Sequence, residues 1–121
     1  IKRWQEMGKT VLWTNDKGTS LYYPGKAGQL IPEKFQWSPS ALREIWKNAG
    51  VHQYTATEDI LYVGNNWLSI HSVDGGEKSI QLPYYAQVID PLTDKVMSDS
   101  TKVINIKMDS LSTVLYRIHP L

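Results

Sequence analysis

The residues that could bind a metal or act as catalysts are scattered along the chain. The three histidines, His52, His71 and His119, lie far apart, and none has a partner at metal-ligand spacing. We therefore expect no metal site and no cofactor, and we interpret His52 and His71 as ordinary strand residues. The sequence contains no cysteine, which excludes thiolate metal sites, cysteine nucleophiles and disulfides.

Carboxylates are the next candidates, because glycoside hydrolysis uses two carboxyl groups about 5–9.5 Å apart. Most of the acids fall at predicted turns, where Asp and Glu have structural roles. Those considered are Glu44, Glu58, Asp59, Glu77, Asp90, Asp94, Asp99 and Asp109. The sequence also lacks a Gly-x-Ser-x-Gly motif and a glycine-rich phosphate motif. We predict no catalytic residue in this chain.

Aromatic side chains remain as candidates for a binding site. The chain has five Trp and seven Tyr but one Phe. Indole and phenol groups suit half-buried sheet faces and sugar-binding surfaces alike. Several of them lie at predicted strand ends, where a binding edge would form. The predicted carbohydrate contacts are Trp67, Tyr84, Tyr85, Trp37 and Tyr62. The alternative for each is packing in the core.

Composition narrows the class of protein. A chain of 121 residues fits one domain, or one domain with a small fragment attached. Its 13 basic and 12 acidic residues are interspersed, so we expect no nucleic-acid partner. No apolar run is long enough to span a bilayer. The chain begins in mid-pattern without an initiator Met, which indicates a processed or truncated product.

Residues 1–50 are predicted to form a small α/β segment. A helix over residues 1–7 would end at Gly8, and a strand over 10–14 would follow. Residues 19–37 are rich in proline and glycine and predict a long irregular loop. One clear helix then begins after Ser38 and ends before Gly50, with an apolar stripe along one face.

Residues 51–121 change to a period of two, which predicts β-strands. The expected strands are 52–55, 60–63, 67–73, 78–82, 85–89, 101–108 and 112–118. The turn at Asp74-Gly75-Gly76 predicts a hairpin between the third and fourth of these. The fold class is therefore mainly β: an antiparallel β-sandwich of about seven to eight strands, preceded by the α/β segment. The predicted domains are 1–50 and 51–121.

Four segments carry a resemblance to a known family: residues 49–54, 59–62, 67–71 and 75–83. They resemble the C-terminal region of multidomain bacterial glycoside hydrolases of the β-galactosidase type. In that family a flavodoxin-like α/β domain runs into a β-sandwich. The resemblance implies that residues 10–14 form a late parallel strand of the α/β domain and 42–48 its final helix.

The resemblance also implies a function and partners. The chain would be a non-catalytic accessory domain of a secreted or periplasmic hydrolase, whose catalytic acids lie on a preceding barrel. Its partner would be the catalytic domain of the same parent protein or a second copy, with glycans as a further partner. The alternatives are a stand-alone carbohydrate-binding module, which the aromatic residues favour, and a small enzyme working through loop carboxylates.

Overall fold

A computed structural model describes residues 2–25 and 33–121 of the chain. The chain divides into two compact units, Ile1–His52 and Gln53–Leu121, whereas the sequence predicted a boundary after Gly50. The described residues form eight strands in two antiparallel sheets, together with two helices. The predicted mainly β, antiparallel fold class is confirmed.

The N-terminal unit combines two helices with a three-stranded sheet of order β1-β2-β3. Its elements are α1 (Lys2–Glu6), β1 (Val11–Thr14), β2 (Ser20–Tyr23), β3 (Glu33–Phe35) and α2 (Pro39–Asn48). The Asn15 side-chain oxygen accepts hydrogen bonds from the backbone N–H groups of Lys17 and Thr19, at 3.0 and 2.8 Å. This local turn sends the chain back along β1 as an antiparallel hairpin.

Two predictions for this unit need correction. The strand over residues 10–14 was predicted to be parallel to a neighbour, but β1 pairs antiparallel with β2. The loop predicted over residues 19–37 contains β2 and β3, because the turn at Asn15 places the β-prone residues of β2 beside β1. Residues 26–32 of that predicted loop lie outside the described part of the chain.

Helix α2 begins and ends where its capping residues predict. Ser38 accepts a hydrogen bond from the Ala41 backbone N–H at 3.2 Å, and Pro39 occupies the first turn. Gly50 follows the last turn with a positive φ of 76°. Ile45 is the buried residue of the predicted apolar stripe.

The C-terminal unit is a single five-stranded antiparallel sheet of order β4-β5-β8-β6-β7. Its strands are β4 (Ile60–Gly64), β5 (Trp67–Ser72), β6 (Gly76–Asp90), β7 (Lys95–Met108) and β8 (Ser112–Pro120). The strand predicted over residues 52–55 is absent from this sheet. Instead, the Tyr54 carbonyl accepts a hydrogen bond of 2.7 Å from the N–H of Gln81, on β6.

A break in the β6–β7 ladder allows this one sheet to enclose a core. Gln81 pairs with Val103 and Ala86 with Thr101, so residues 82–85 stand opposite Lys102 alone. Such a bulge bends a strand, and Pro83 within it has no N–H to donate to a ladder. Residues on both sides of the break pack in the same core: Ile80, Leu82, Ala86 and Val88 of β6, with Leu68 and Ile70 of β5 and Tyr116 and Ile118 of β8.

The turn at Gly75 connects strands that do not pair with each other, so the predicted hairpin is wrong. β5 pairs with β4 and β8, whereas β6 pairs with β7 and β8. Gly75 has a positive φ of 71°, and a Cβ there would lie 2.7 Å from the Ser110 nitrogen. The Val73 carbonyl accepts a hydrogen bond from the Leu111 N–H at 3.0 Å. The turn after β7 therefore occupies the side of β5 that the hairpin would have used.

This close approach predicts that substitution of the two neighbouring glycines lowers the free energy of unfolding by different amounts. Both Gly75 and Gly76 have positive φ, but a Cβ at Gly76 would meet nothing within 4 Å. Gly75→Ala adds a steric clash to backbone strain, and overpacking alone costs about 1–3 kcal/mol. We expect Gly75→Ala to lower the free energy of unfolding by that much more than Gly76→Ala, measured by urea denaturation. Equal losses would contradict the close approach at Gly75.

Candidate functional site

A cavity of 160 Å³ opens at one end of the C-terminal core, and we refer to it as the end cavity. Core side chains form its floor, and aromatic and amide residues form its walls. The lining residues are Tyr54, Val63, Gly64, Asn65, Asn66, Trp67, Leu68, Leu82, Tyr84 and Ile118. They come from the segment before β4, the β4–β5 turn, the β6 bulge and the end of β8. The end cavity is thus assembled from residues far apart in sequence.

The β4–β5 turn contributes two amide side chains. Gly64 pairs with Trp67, leaving a two-residue loop in which Asn65 and Asn66 have φ of 49° and 66°. Asparagine tolerates this left-handed conformation, which the tight hairpin requires at both positions. The Asn66 carbonyl accepts a hydrogen bond of 2.7 Å from the Ile118 N–H. The turn is therefore anchored to β8, while both amide groups are exposed and can donate and accept hydrogen bonds.

The β6 bulge separates the two neighbouring tyrosines. Tyr84 lines the end cavity and is 37% exposed. Tyr85 does not line it, and its ring instead has the Lys102 ammonium 5.2 Å from its centroid, a cation–π distance. The Tyr85 carbonyl accepts a hydrogen bond from the Leu121 N–H at 3.0 Å. Only one of the adjacent pair is thus placed to contact a molecule in the end cavity.

Tyr54 is an aromatic residue of the end cavity that the predicted contact set does not include. Burial, together with the neighbouring Tyr84 phenol, raises the pKa of Tyr54 above its ordinary value. The Tyr54 phenol is therefore protonated at neutral pH and carries an O–H. The sequence pattern placed Tyr54 in a strand, and no local signal indicates that it lies beside Tyr84.

The structure brings together two of the five predicted carbohydrate contacts. Trp67 and Tyr84 both line the end cavity. Trp67 pairs with Gly64 and Arg117, which places its side chain at the outer rim, since Leu68 beside it points into the core.

The other three predicted contacts lie elsewhere. Tyr62 is 72% exposed on β4 and does not line the end cavity. Tyr85 is directed to Lys102. Trp37 belongs to the N-terminal unit, where its indole N–H donates a hydrogen bond of 2.6 Å to the Ser20 hydroxyl.

A second cavity, of 360 Å³, is lined by two of the acids that were considered as catalysts, Glu58 and Asp59. It lies at the opposite end of β5 and beside the start of β6, and its lining also includes Asp74, His71 and Lys78. The Nδ1 atom of His71 is 2.8 Å from the Thr113 hydroxyl. Within residues 2–25 and 33–121, no group of three His, Asp or Glu side chains is arranged to hold a metal ion.

Asp59 is engaged in a buried ion pair. Its carboxylate is 3.0 Å from the Lys78 ammonium, and each side chain is only 8% exposed. Burial alone would raise the pKa of Asp59, but hydrogen bonds from Thr57, Ser72 and Lys78 and the charge of Lys78 lower it overall. A carboxylate held in its ionised form is a poor proton donor, so this geometry supports a structural role.

Comparisons with protein-family models, with curated proteins and with solved structures found no match to this chain. No helix in the described residues has the length and apolar character needed to cross a membrane.

The buried pair predicts a dependence of stability on pH. Because the pKa of Asp59 is lowered by folding, its stabilising effect is present above the unfolded-state pKa of about 3.9 and is lost as the pH falls through the folded-state value. Asp59→Asn leaves Lys78 buried without a counter-charge, which costs about 3–5 kcal/mol. We expect that loss at pH 7 by urea denaturation, with a smaller difference from the unsubstituted protein under strongly acidic conditions.

Asp94→Asn is the matched control. Asp94 pairs with Arg117 at 3.5 Å, but its side chain is 80% exposed, and exposed pairs contribute about 0–1 kcal/mol. Asparagine also tolerates the positive φ of 55° at this position. Equal losses for the two variants at pH 7 would show that the Asp59–Lys78 pair is not a major source of stability.

Proposed function

We propose that this chain is a non-catalytic accessory module of a carbohydrate-active protein and that it contacts sugar in the end cavity. The observation that carries the proposal is the composition of that cavity. Tyr54 and Tyr84 lie beside an aliphatic floor, with Trp67 at the rim and Asn65 and Asn66 in the adjoining turn. Binding sites for small molecules commonly combine apolar walls with a few placed polar groups.

The chemistry of a sugar ring fits these groups. One face of a pyranose presents C–H groups, which pack on flat aromatic rings, while hydroxyls project around its edge. Tyr84 supplies a partly exposed ring, and the Asn65 and Asn66 amides supply donors and acceptors. The Tyr54 phenol, protonated at neutral pH, adds a further polar group to the wall.

The parent protein is proposed from the sequence resemblance. Residues 38–118 resemble the C-terminal region of bacterial glycoside hydrolases, in which the catalytic acids lie on another domain. The engagement of Asp59 with Lys78 supports a non-catalytic role for the C-terminal unit. In this proposal the parent is secreted or periplasmic, and the module works beside its catalytic domain.

The expected affinity is weak. A single sugar ring has about twelve non-hydrogen atoms, and ligands reach about −0.3 kcal/mol per atom in ordinary sites. The resulting binding free energy of about −4 kcal/mol corresponds to a dissociation constant in the millimolar range. Detection therefore needs ligand-observed NMR or the multivalent display of a glycan array.

Replacing Tyr84 tests the proposed site. We expect Tyr84→Ala to reduce glycan binding about two- to twelvefold, because an aromatic stacking contact contributes about 0.5–1.5 kcal/mol. Trp67→Ala is expected to weaken binding as well, through loss of the rim. The measurement is binding to a glycan array, followed by NMR titration of any glycan that binds.

Tyr85→Ala is the matched control for Tyr84→Ala. It removes the same side chain one position along the bulge, at a residue 58% exposed and outside the end cavity. Binding should be unchanged in this variant. A loss with Tyr85→Ala but not with Tyr84→Ala would move the sugar contact to the Lys102 side of the bulge.

A second candidate function is support or oligomerisation of the catalytic domain. Tyr62, Ser69 and Leu115 are cross-strand neighbours on β4, β5 and β8, and Tyr62 and Leu115 are 72% and 40% exposed. Ile60, on the same face as Tyr62, is 52% exposed. Adjacent exposed apolar residues of this kind are typical of interaction surfaces.

This candidate predicts an effect that is independent of sugar. Tyr62→Lys should weaken association of the chain with itself or with a catalytic domain, because a charge would be placed among the apolar neighbours. Sedimentation velocity over a range of concentrations would measure self-association. Unchanged association in this variant would count against a role for the face, and unchanged glycan binding would separate it from the end cavity.

A further inference from the structure

The residues around the end cavity carry no formal charge, as far as the described chain extends. Cations on the neighbouring elements do not line the cavity. Lys102, opposite the bulge, lies over the ring of Tyr85. Arg117 pairs across the sheet with Trp67, but it is not among the lining residues, and its guanidinium is 3.5 Å from the Asp94 carboxylate.

An acidic sugar would therefore find no counter-charge in the cavity. A carboxylate that leaves water without a cationic partner loses much of its hydration energy. A neutral ring loses only hydrogen bonds from hydroxyls, which the Asn65 and Asn66 amides and the Tyr84 phenol can replace. The electrostatics of the cavity favour an uncharged ligand.

The size and shape of the cavity limit how much of a glycan can enter. Its volume of 160 Å³ is below the roughly 300–1,000 Å³ of sites that bury a drug-sized ligand. Leu68, Leu82 and Ile118 belong to the packed core and close the floor. A polysaccharide cannot pass through a cavity with a closed floor, so a ring can enter only from the open mouth, with the rest of the glycan outside.

We infer that the end cavity selects the terminal residue of an uncharged glycan. This inference rests on the proposed function, since it presumes that the cavity binds sugar. It specifies that one neutral ring packs against Tyr84, with its hydroxyls near the Asn65–Asn66 turn. It also specifies that an internal segment of a chain, or a terminal acidic sugar, is excluded.

The test uses the whole chain on an array of oligosaccharides that differ only at their ends. For each neutral glycan that binds, the same glycan capped with sialic acid or a uronic acid is measured beside it. The methyl glycoside of its terminal sugar serves as a soluble competitor. We expect capping to reduce binding at least tenfold and the methyl glycoside to compete at millimolar concentration.

Variants of Tyr84 assign the result to the end cavity. Tyr84→Ala should reduce the binding about two- to twelvefold. Tyr84→Phe should retain most of it, because the ring is kept. Tyr85→Ala should behave like the unsubstituted chain. Circular dichroism and urea denaturation confirm that each variant is folded before its binding is interpreted.

The possible outcomes separate this inference from the proposed function. Binding that tolerates acidic caps, or that methyl glycosides do not compete, would overturn terminal neutral selection, and dependence on Tyr84 would still support the sugar site. Binding that ignores Tyr84→Ala would overturn both the site and its selectivity. Failure of every glycan on the array to bind would overturn the proposed carbohydrate contact itself.

Discussion

The break in the β6–β7 ladder is the constraint on which the C-terminal unit depends. In a continuous flat strand the apolar side chains would lie along one plane. A single flat five-stranded sheet would then leave those side chains exposed to water. The bulge at residues 82–85 lets Ile80 and Val88, on either side of it, reach the same core. Pro83 lacks the N–H that a ladder would need, so regular pairing cannot readily be restored at that position.

The two ends of this core are closed by different physical means. At one end Asp59 and Lys78 form an ion pair, which links the segment before β4 to β6. At the other end Tyr54 and Tyr84 both line the end cavity, whose described lining includes no charged residue. An ion pair thus stabilises one end of the core, whereas uncharged amphipathic groups line the cavity at the other end.

Local sequence signals predicted helices and strands, whereas long-range strand pairing determined how they are arranged. Ser38 and Gly50 bound α2 because their capping hydrogen bonds and backbone angles are local properties. Gly75 adopts the predicted positive φ, but whether such a turn closes a hairpin depends on which strand arrives beside β5, and that strand is β8. The same limit applies to the site. Trp67 and Tyr84 were identifiable as candidates, but their shared cavity with Tyr54 depends on contacts that no short window of sequence contains.

The hydrogen bond from the Ile118 N–H to the Asn66 carbonyl also bears on the rate at which the cavity forms during folding. It ties the β4–β5 hairpin, which can form from neighbouring residues, to a strand that follows much later in the chain. Closing such a long loop is entropically costly and slow, so the cavity walls come together only after β8 has docked. A ligand that needs all the walls would bind the fully folded unit alone and would slow its unfolding rather than guide its early collapse.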